Sequence, residues 1–505
     1  MARVGRAVGP VRRALTLLAV LVALGLVVTG GTLLRAQQPR ARQVVAAPAA
    51  QAEAICTVGT VSPVGSSPSP SASPQPSATA AAGTGSVVAV ASGPTDTSGA
   101  APAGRLTLGV LGGPGPGVTV DRQGRGATLT QAGAPVLLQA EGALATTAVG
   151  AVLGRTATGA EAGLEAAPCL VASTSAWLPG IASGPSDRTE LVLSNPDDAS
   201  ATVDLTFYGR NGRVAVPGSP GVDVPAGSSR AVSLSGLVDA EGPLTVAVQA
   251  TSGRVAAAAR RIRTAGDAPA GADWVVPAAT PATSVVVPAV PGDAGTRDLV
   301  VTNPSELRAT VRVSVLGLQG PFAPVGAETL ELAPQSSGTL ALAEGLAGTG
   351  SGVALTSDQP VTAAVVSTSA RDGAQPDIAV QPARPALVRT GVSAVATAAG
   401  TDAELVLSNA ATDDVSVHFS LRTLAGVELR TGDVLLAPGG SATRRLTSPT
   451  ASSVVVDVPD GSSVSGGVDL VEPDGDVAGL ASVPLVSPDT SGPAPVVVQD
   501  PAAAR

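Results

Sequence analysis

The chain contains no lysine. All 30 basic residues are arginine, set against 39 acidic ones for a formal net charge of −9 over 505 residues. Phosphate neutralisation supplies most nucleic-acid affinity, so an acidic chain without a dense basic patch is a poor nucleic-acid binder. Histidine occurs once, at His418, which leaves imidazole-based acid–base chemistry a single possible base, and no Gly-x-Ser-x-Gly elbow accompanies it. Cysteine occurs twice, at Cys56 and Cys169, with no Cys-x-x-Cys pair and no Cys/His metal spacing. The aromatic set is Trp177, Phe207, Tyr208, Trp274, Phe322 and Phe419. A broad sugar-stacking platform lacks its parts. The core must be assembled from Val, Leu and Ala, each burying less area than a ring at about 25 cal/mol per Å².

What is abundant points to strands. Sixty Gly and 43 Pro among many Val and Thr describe short strands joined by tight turns. One phrase occurs three times: "ELVLSNPDDASATVDLTFYGRNG" from Glu190, "DLVVTNPSELRATVRVSVLGLQG" from Asp298 and "ELVLSNAATDDVSVHFSLRTLAG" from Glu404. Its asparagines, Asn195, Asn303 and Asn409, are 108 and 106 residues apart (303 − 195 and 409 − 303). That period exceeds a solenoid repeat and equals one β-sandwich of about 100 residues. In each copy a short apolar strand ends at Ser/Thr-Asn, and strict alternation follows. Ala201, Val203, Leu205 and Phe207 share one face in the first copy, and Ala309, Val311, Val313 and Val315 in the second. Val415, Val417, Phe419 and Leu421 do so in the third. Gly212, Gly320 and Gly426 each lie 17 residues past the Asn, where a hairpin needs positive φ. Pro225, Pro334 and Pro438 mark a later turn, and the small pairs Ala257–Ala258, Ala363–Ala364 and Gly466–Gly467 mark a strand packed close to a neighbour.

The expected fold is therefore all-β, with tandem immunoglobulin-like β-sandwich domains following a single N-terminal transmembrane helix. The three sandwiches occupy residues 173–263, 273–370 and 385–487, and the Pro/Ala/Gly stretches near 264–272 and 371–384 read as linkers. Residues 50–172 hold a divergent β module with the runs "RLTLGVL", "ATLTQAG" and "APVLLQA", although "AEGALATTAVGAVL" also fits a short helix. Within it, 62–86 is a Pro/Ser/Ala insertion that cannot bury a core, and 488–505 reads as a disordered tail. Ala14–Leu34 is uncharged for 21 residues, the length of a helix crossing roughly 30 Å of hydrocarbon. It follows a basic tail, 1–13, that favours N-terminus-inside. The competing reading is a cleaved signal peptide and a secreted product. Outside the cytoplasm two cysteines suggest one disulfide, Cys56–Cys169, closing 113 residues (169 − 56) and contributing roughly 4–5 kcal/mol in the chain-entropy account.

Other candidates for chemistry are weaker. His418 falls on the polar face of its strand, where the other copies carry Asp204 and Arg312; three unrelated side chains at one position describe a solvated face. Asp469, Glu472, Asp474 and Asp476 surround Gly475 and could hold Ca²⁺, but the spacing does not match the twelve-residue loop and Asp-Gly is a common turn. The Gly-rich run Gly112–Gly117 lacks the lysine and helix of a phosphate loop. Trp177 and Trp274 read as plugs at domain entrances. No catalytic, cofactor-binding or metal-binding residue is assigned.

The N-terminal anchor, "AAPC" at Ala166–Cys169 followed by Trp177, and "ELVLSNP" at Glu190–Pro196 together resemble an uncharacterised family of secreted or membrane-anchored actinobacterial proteins known only as a domain of unknown function. The likeness covers most of the chain beyond residue 50 and implies an envelope location with no assigned activity. The reading that results is a non-enzymatic, membrane-anchored extracytoplasmic protein presenting a short rod of sandwiches for scaffolding or protein contact. A partner would be an envelope protein or a cell-wall glycan. The alternative is a ligand- or glycan-binding accessory to surface polysaccharide assembly.

Overall fold

A computed structural model describes residues 46–47, 51–57, 84–93, 104–115, 117–130, 134–159, 161–235, 238, 242–292, 295–342, 346, 348–395, 400–488 and 492–493. The anchor at 14–34, the basic tail and residues 62–83 of the Pro/Ser/Ala insertion lie outside these. No helix among the described residues is long and apolar enough to cross a membrane. The chain divides into two compact units, one of 1–47 with 491–505 and one of 48–490. In the smaller unit the described residues are the antiparallel pair Ala46–Ala47 and Gly492–Pro493.

The larger unit is all-β and contains four modules with one wiring. In each, the first, sixth, third and fourth strands form one sheet in that order, and the fifth, second, seventh and eighth form the other. The first module runs from Gln51–Cys56 to Gly163–Pro168, the second from Ser175–Ala182 to Ala268–Val275, the third from Ala282–Val290 to Ile378–Pro382 and the fourth from Thr390–Val395 to Leu480–Pro484. The divergent N-terminal region is thus a complete fourth copy. Its stretch "AEGALATTAVGAVL" contributes to the strands Val136–Gly142 and Ala148–Thr156 rather than to a helix, and Thr84–Ser86 open the strand Thr84–Ala91. In the third module the sixth and seventh strands fuse into one 18-residue strand, Ser351–Thr368, whose halves serve opposite sheets.

The alternating runs face the cores as their period dictates. Ala201, Val203, Leu205 and Phe207 are buried while Thr202, Asp204 and Thr206 are only half-buried. The turn glycines have φ of 120° (Gly212), 118° (Gly320) and 82° (Gly426), the left-handed region that glycine enters without Cβ strain.

The asparagines do more than make a turn. Each is fully buried at the crossover from the second strand to the third. Asn303 donates through Nδ2 to the carbonyls of Leu307 (2.7 Å) and Ala333 (3.1 Å), and its Oδ1 accepts from the Ser305 amide (3.0 Å). Asn195 makes the same bonds to Ala199, Val224 and Asp197. Asn409 makes them to Asp413, Ala437 and Ala411. Val224, Ala333 and Ala437 each directly precede a proline, Pro225, Pro334 or Pro438. The paired Asn and Pro signals of the sequence are thus one device, an amide holding the carbonyl before the proline. In the first module Ser92 stands at the end of the second strand, its hydroxyl donating to the Thr147 carbonyl.

Cys56 and Cys169 form a disulfide, joining the first strand to the residue after the eighth. Both are buried in the first module's core.

Replacing Asn303 with Ala removes four hydrogen bonds, the fourth being the one Oδ1 accepts from the Ser305 hydroxyl (2.7 Å), at ~1 kcal/mol each, so urea unfolding should show a loss of about 2–4 kcal/mol. Asn303→Asp aims carboxylate oxygens at two carbonyls and should lose at least as much.

Candidate functional site

The four modules close on one another. The first sheet of each module packs on the second sheet of the next. Ile55 and Leu137 of the first module meet Val192, Ala256 and Ala258 of the second, with Trp274 filling the seam at 2% exposure. Thr245 of the second hydrogen-bonds Thr302 of the third (2.6 Å), and Ser441 of the fourth accepts the Gly352 amide of the third (3.0 Å). The fourth then meets the first: Val392 and Val455 pack with Val90 and Val149, and the Gly126 amide donates to the Leu424 carbonyl (2.8 Å). Four beads in this relation form a ring, and the expectation of a rod is corrected by the contact between the last bead and the first.

At the centre lie the eighth strands. Each is the edge of its sheet, so half of its backbone amides have no strand partner, and burying such a row requires another acceptor. Two carboxylates supply it. Asp377, just before Ile378–Pro382, accepts amides from all four modules: Leu164 (2.8 Å), Ala272 (3.3 Å), Leu480 (3.0 Å) and its own neighbour Ile378 (2.9 Å). Asp273 on the second module's closing strand accepts the amides of Ala166 (3.3 Å) and Val380 (2.8 Å) two residues further along. Both side chains are completely inaccessible to solvent. Crowding dictates the residues preceding the bound amides. Gly163, Gly271 and Gly479 occupy the place that Asp377 takes in the third module. A Cβ on Gly163 or Gly271 would fall on Asp377 itself, and one on Gly479 would press on Leu164 and Glu472.

Burial pushes both carboxyls well above the usual carboxylate range. The backbone amides pull in the other direction, and for Asp273 the proximity of Asp377 adds to the rise. The remaining polar side chains at the centre bind modules together. Arg260 of the second module pairs with Glu165 and Glu161 of the first, and Arg155 of the first with Glu472 of the fourth. Arg371 of the third donates to the carbonyls of Glu472 and Val477 in the fourth.

The residues singled out by sequence do not converge. His418 is exposed and lies between Asp433 (2.8 Å) and Thr431 (2.9 Å) on its own sheet. Of the acidic group, Asp469 accepts the Ser482 hydroxyl and Glu472 is spent on Arg155. Among the described residues no three His, Cys, Asp or Glu side chains come close enough together to hold a metal ion. Trp177 stacks at a tilt on Tyr208, centroids 5.6 Å apart. Clefts open where modules meet. One of about 520 Å³, between the second and third, is lined by Ser183, Asp187, Arg261, Arg263, Asp298 and Thr339. Arg261 is already committed to Asp187 and to the Gly180 carbonyl (2.8 Å).

Asp273 and Asp377 were not legible as a site, yet a signal exists. Gly163, Gly271, Asp377 and Gly479 are spaced by 108, 106 and 102 residues (271 − 163, 377 − 271, 479 − 377), and a proline follows each within six residues. The stretches read as linkers near 264–272 and 371–384 carry, or lead into, these strands, because the small residues demanded by the crowded centre have a linker's composition.

Truncating Asp377 to Ala strands four buried amides and should cost on the order of 3–6 kcal/mol in denaturant unfolding. Raised carboxyl values also fix a pH response. The folded state keeps a proton that the unfolded chain releases near its ordinary value of 3.8, so this stabilisation is complete below that pH and is lost as pH rises through the folded value. Wild type should therefore lose stability relative to Asp273→Asn as pH is raised from about 4.5 to 8, read from urea midpoints at each pH.

No curated protein matches the chain. A solved structure from Thermotoga maritima, protein 1070, is 16% identical, with 20% of this chain and 93% of that chain covered at a TM-score of 0.18. Residues 118–447, running from the first module into the fourth and containing both hub aspartates, match the family of unknown function DUF5719, and the chain belongs to that family.

Proposed function

We propose that this protein is a non-enzymatic scaffold of the cell envelope, held to the membrane by the helix at Ala14–Leu34 with its four-module body outside the cytoplasm. The observation that carries the reading is the use made of two buried aspartates. Catalytic sites leave perturbed groups facing a cleft where a substrate can reach them. Here Asp273 and Asp377 are inaccessible, and every acceptor bond they make ties one module to another or to its own strand. The disulfide between Cys56 and Cys169 supports an oxidising compartment. A membrane link through 14–34 and contact with an envelope protein follow from the same reading, as does the absence of a nucleic-acid role from the net charge of −9.

We read each module as an immunoglobulin-like sandwich with its outer strands exchanged. The pairing of second with fifth strand and of third with sixth is that of an immunoglobulin domain. The first strand, however, lies beside the sixth and the seventh beside the second. A second reading, a ligand- or glycan-binding accessory of surface polysaccharide assembly, is favoured by the clefts at the seams, among them the one of about 520 Å³ between the second and third modules.

Co-sedimentation of the purified protein with isolated wall material separates the two. The scaffold reading expects binding that excess soluble glycan does not displace, together with a protein partner recovered by in-cell crosslinking from an exposed strand face. Displacement by glycan, with no protein crosslinked, would transfer the assignment to the accessory reading.

A further inference from the structure

The cleft between the second and third modules carries charge that the fold leaves unspent. Two arginines and two aspartates line it, and no aromatic ring stands among its described lining residues. Arg261 and Asp187 are paired with each other on the second module's wall. Arg263, two residues further along the same strand, spends one N–H on the Thr368 hydroxyl of the third module at 3.3 Å. Asp298 lines the cleft from the third module, and among the described residues its carboxylate makes no hydrogen bond or ion pair. The repeated phrase opens with an acid in every copy, and in the second module Glu190 has Arg260 opposite it across the strand pair. In the third module the residue opposite Asp298 is Val366. The cleft thus presents one guanidinium and one carboxylate, each left unanswered by the other, over an apolar floor that includes Val300 and Val366.

Spacing and sign name the occupant. Thr368 and Val366 are two residues apart on one strand, and Asp298 pairs beside Val366. The Arg263 guanidinium, resting on Thr368, therefore lies roughly 7 Å further along the strand than Asp298. That offset is wider than the roughly 4 Å of an ion pair. Two residues of extended peptide span about 7 Å, so a dipeptide with free ends carries a carboxylate for Arg263 and an ammonium for Asp298 at that separation. A wholly anionic ligand would be opposed by Asp298, and a wholly cationic one by Arg263. A sugar would find no ring to stack on. We infer that this cleft is a binding site for a short zwitterionic peptide, its carboxylate toward Arg263, its ammonium toward Asp298 and its small side chains against Val300 and Val366. This occupancy is independent of whether the body serves as a scaffold or as an accessory of polysaccharide assembly.

Calorimetric titration of the purified protein with alanyl-alanine tests this. The expected result is saturable binding, weaker by about tenfold or more for the N-acetylated dipeptide and for the dipeptide amide, each of which lacks one end charge. Substitutions on the protein should match the caps on the ligand. Arg263→Gln should bind the dipeptide amide as well as it binds the free dipeptide, and Asp298→Asn should bind the acetylated dipeptide as well as the free one. Each variant should bind the free dipeptide about tenfold or more weakly than wild type does. The capped peptides interrogate wild type itself, so the result does not depend on either variant folding. No saturation by about 20 mM, where even a site of ~1 mM affinity would be filled, would overturn the proposal. So would equal binding of the capped dipeptides, an affinity that survives both substitutions, or displacement of the dipeptide by the neutral disaccharide maltose.

Discussion

The convergence of edge-strand amides on two buried carboxylates is the constraint from which the rest of the molecule follows. A sheet edge is ordinarily turned to water or shortened. Here four edges are turned inward, where water cannot solvate them, and each unmet amide would cost ~1–3 kcal/mol. Asp377 answers one amide from each module, and Asp273 answers the next tier. Because the acceptor stands in the third module and its donors in all four, no module completes its own hydrogen bonding alone.

This interdependence explains features that look unrelated in the linear sequence. Leucine, valine and alanine suffice for the cores because the sheets are packed on both sides, once within a module and again across a seam. Small residues on the seventh strands allow the approach: Ala258 meets Trp274 at the seam of the first two modules, and a side chain on Gly467 would collide with Ala289 of the third. The ion pairs of Arg260 with Glu165 and of Arg155 with Glu472 bridge modules, and in each the carboxylate is buried, where leaving it unpaired would be costly.

Much of the fold could be read from the sequence, and the reason is local. Period-two alternation at Ala201–Phe207, Ala309–Val315 and Val415–Leu421, glycines at a fixed offset and the Asn–Pro partnership are each decided within a few residues of the chain. The fourth copy was less visible because Ser92 stands at the end of its second strand instead of asparagine. The centre was not legible. Its aspartates differ from surface aspartates only through strands more than 100 residues away, and Gly163, Gly271 and Gly479 have the same composition as a linker. The clustered carboxylates at Asp469–Asp476 drew attention in the sequence, whereas the two isolated ones organise the structure.

Amide hydrogen exchange over the four closing strands tests the central claim most directly. If Leu164, Ala272, Ile378 and Leu480 share one buried acceptor, their amides should exchange together and only through global unfolding, among the slowest in the molecule, and Asp377→Ala should accelerate all four at once. Exchange of any one of them at the rate of Glu428–Leu436, the edge strand of the fourth module's first sheet, or acceleration confined to the third module, would contradict a common centre.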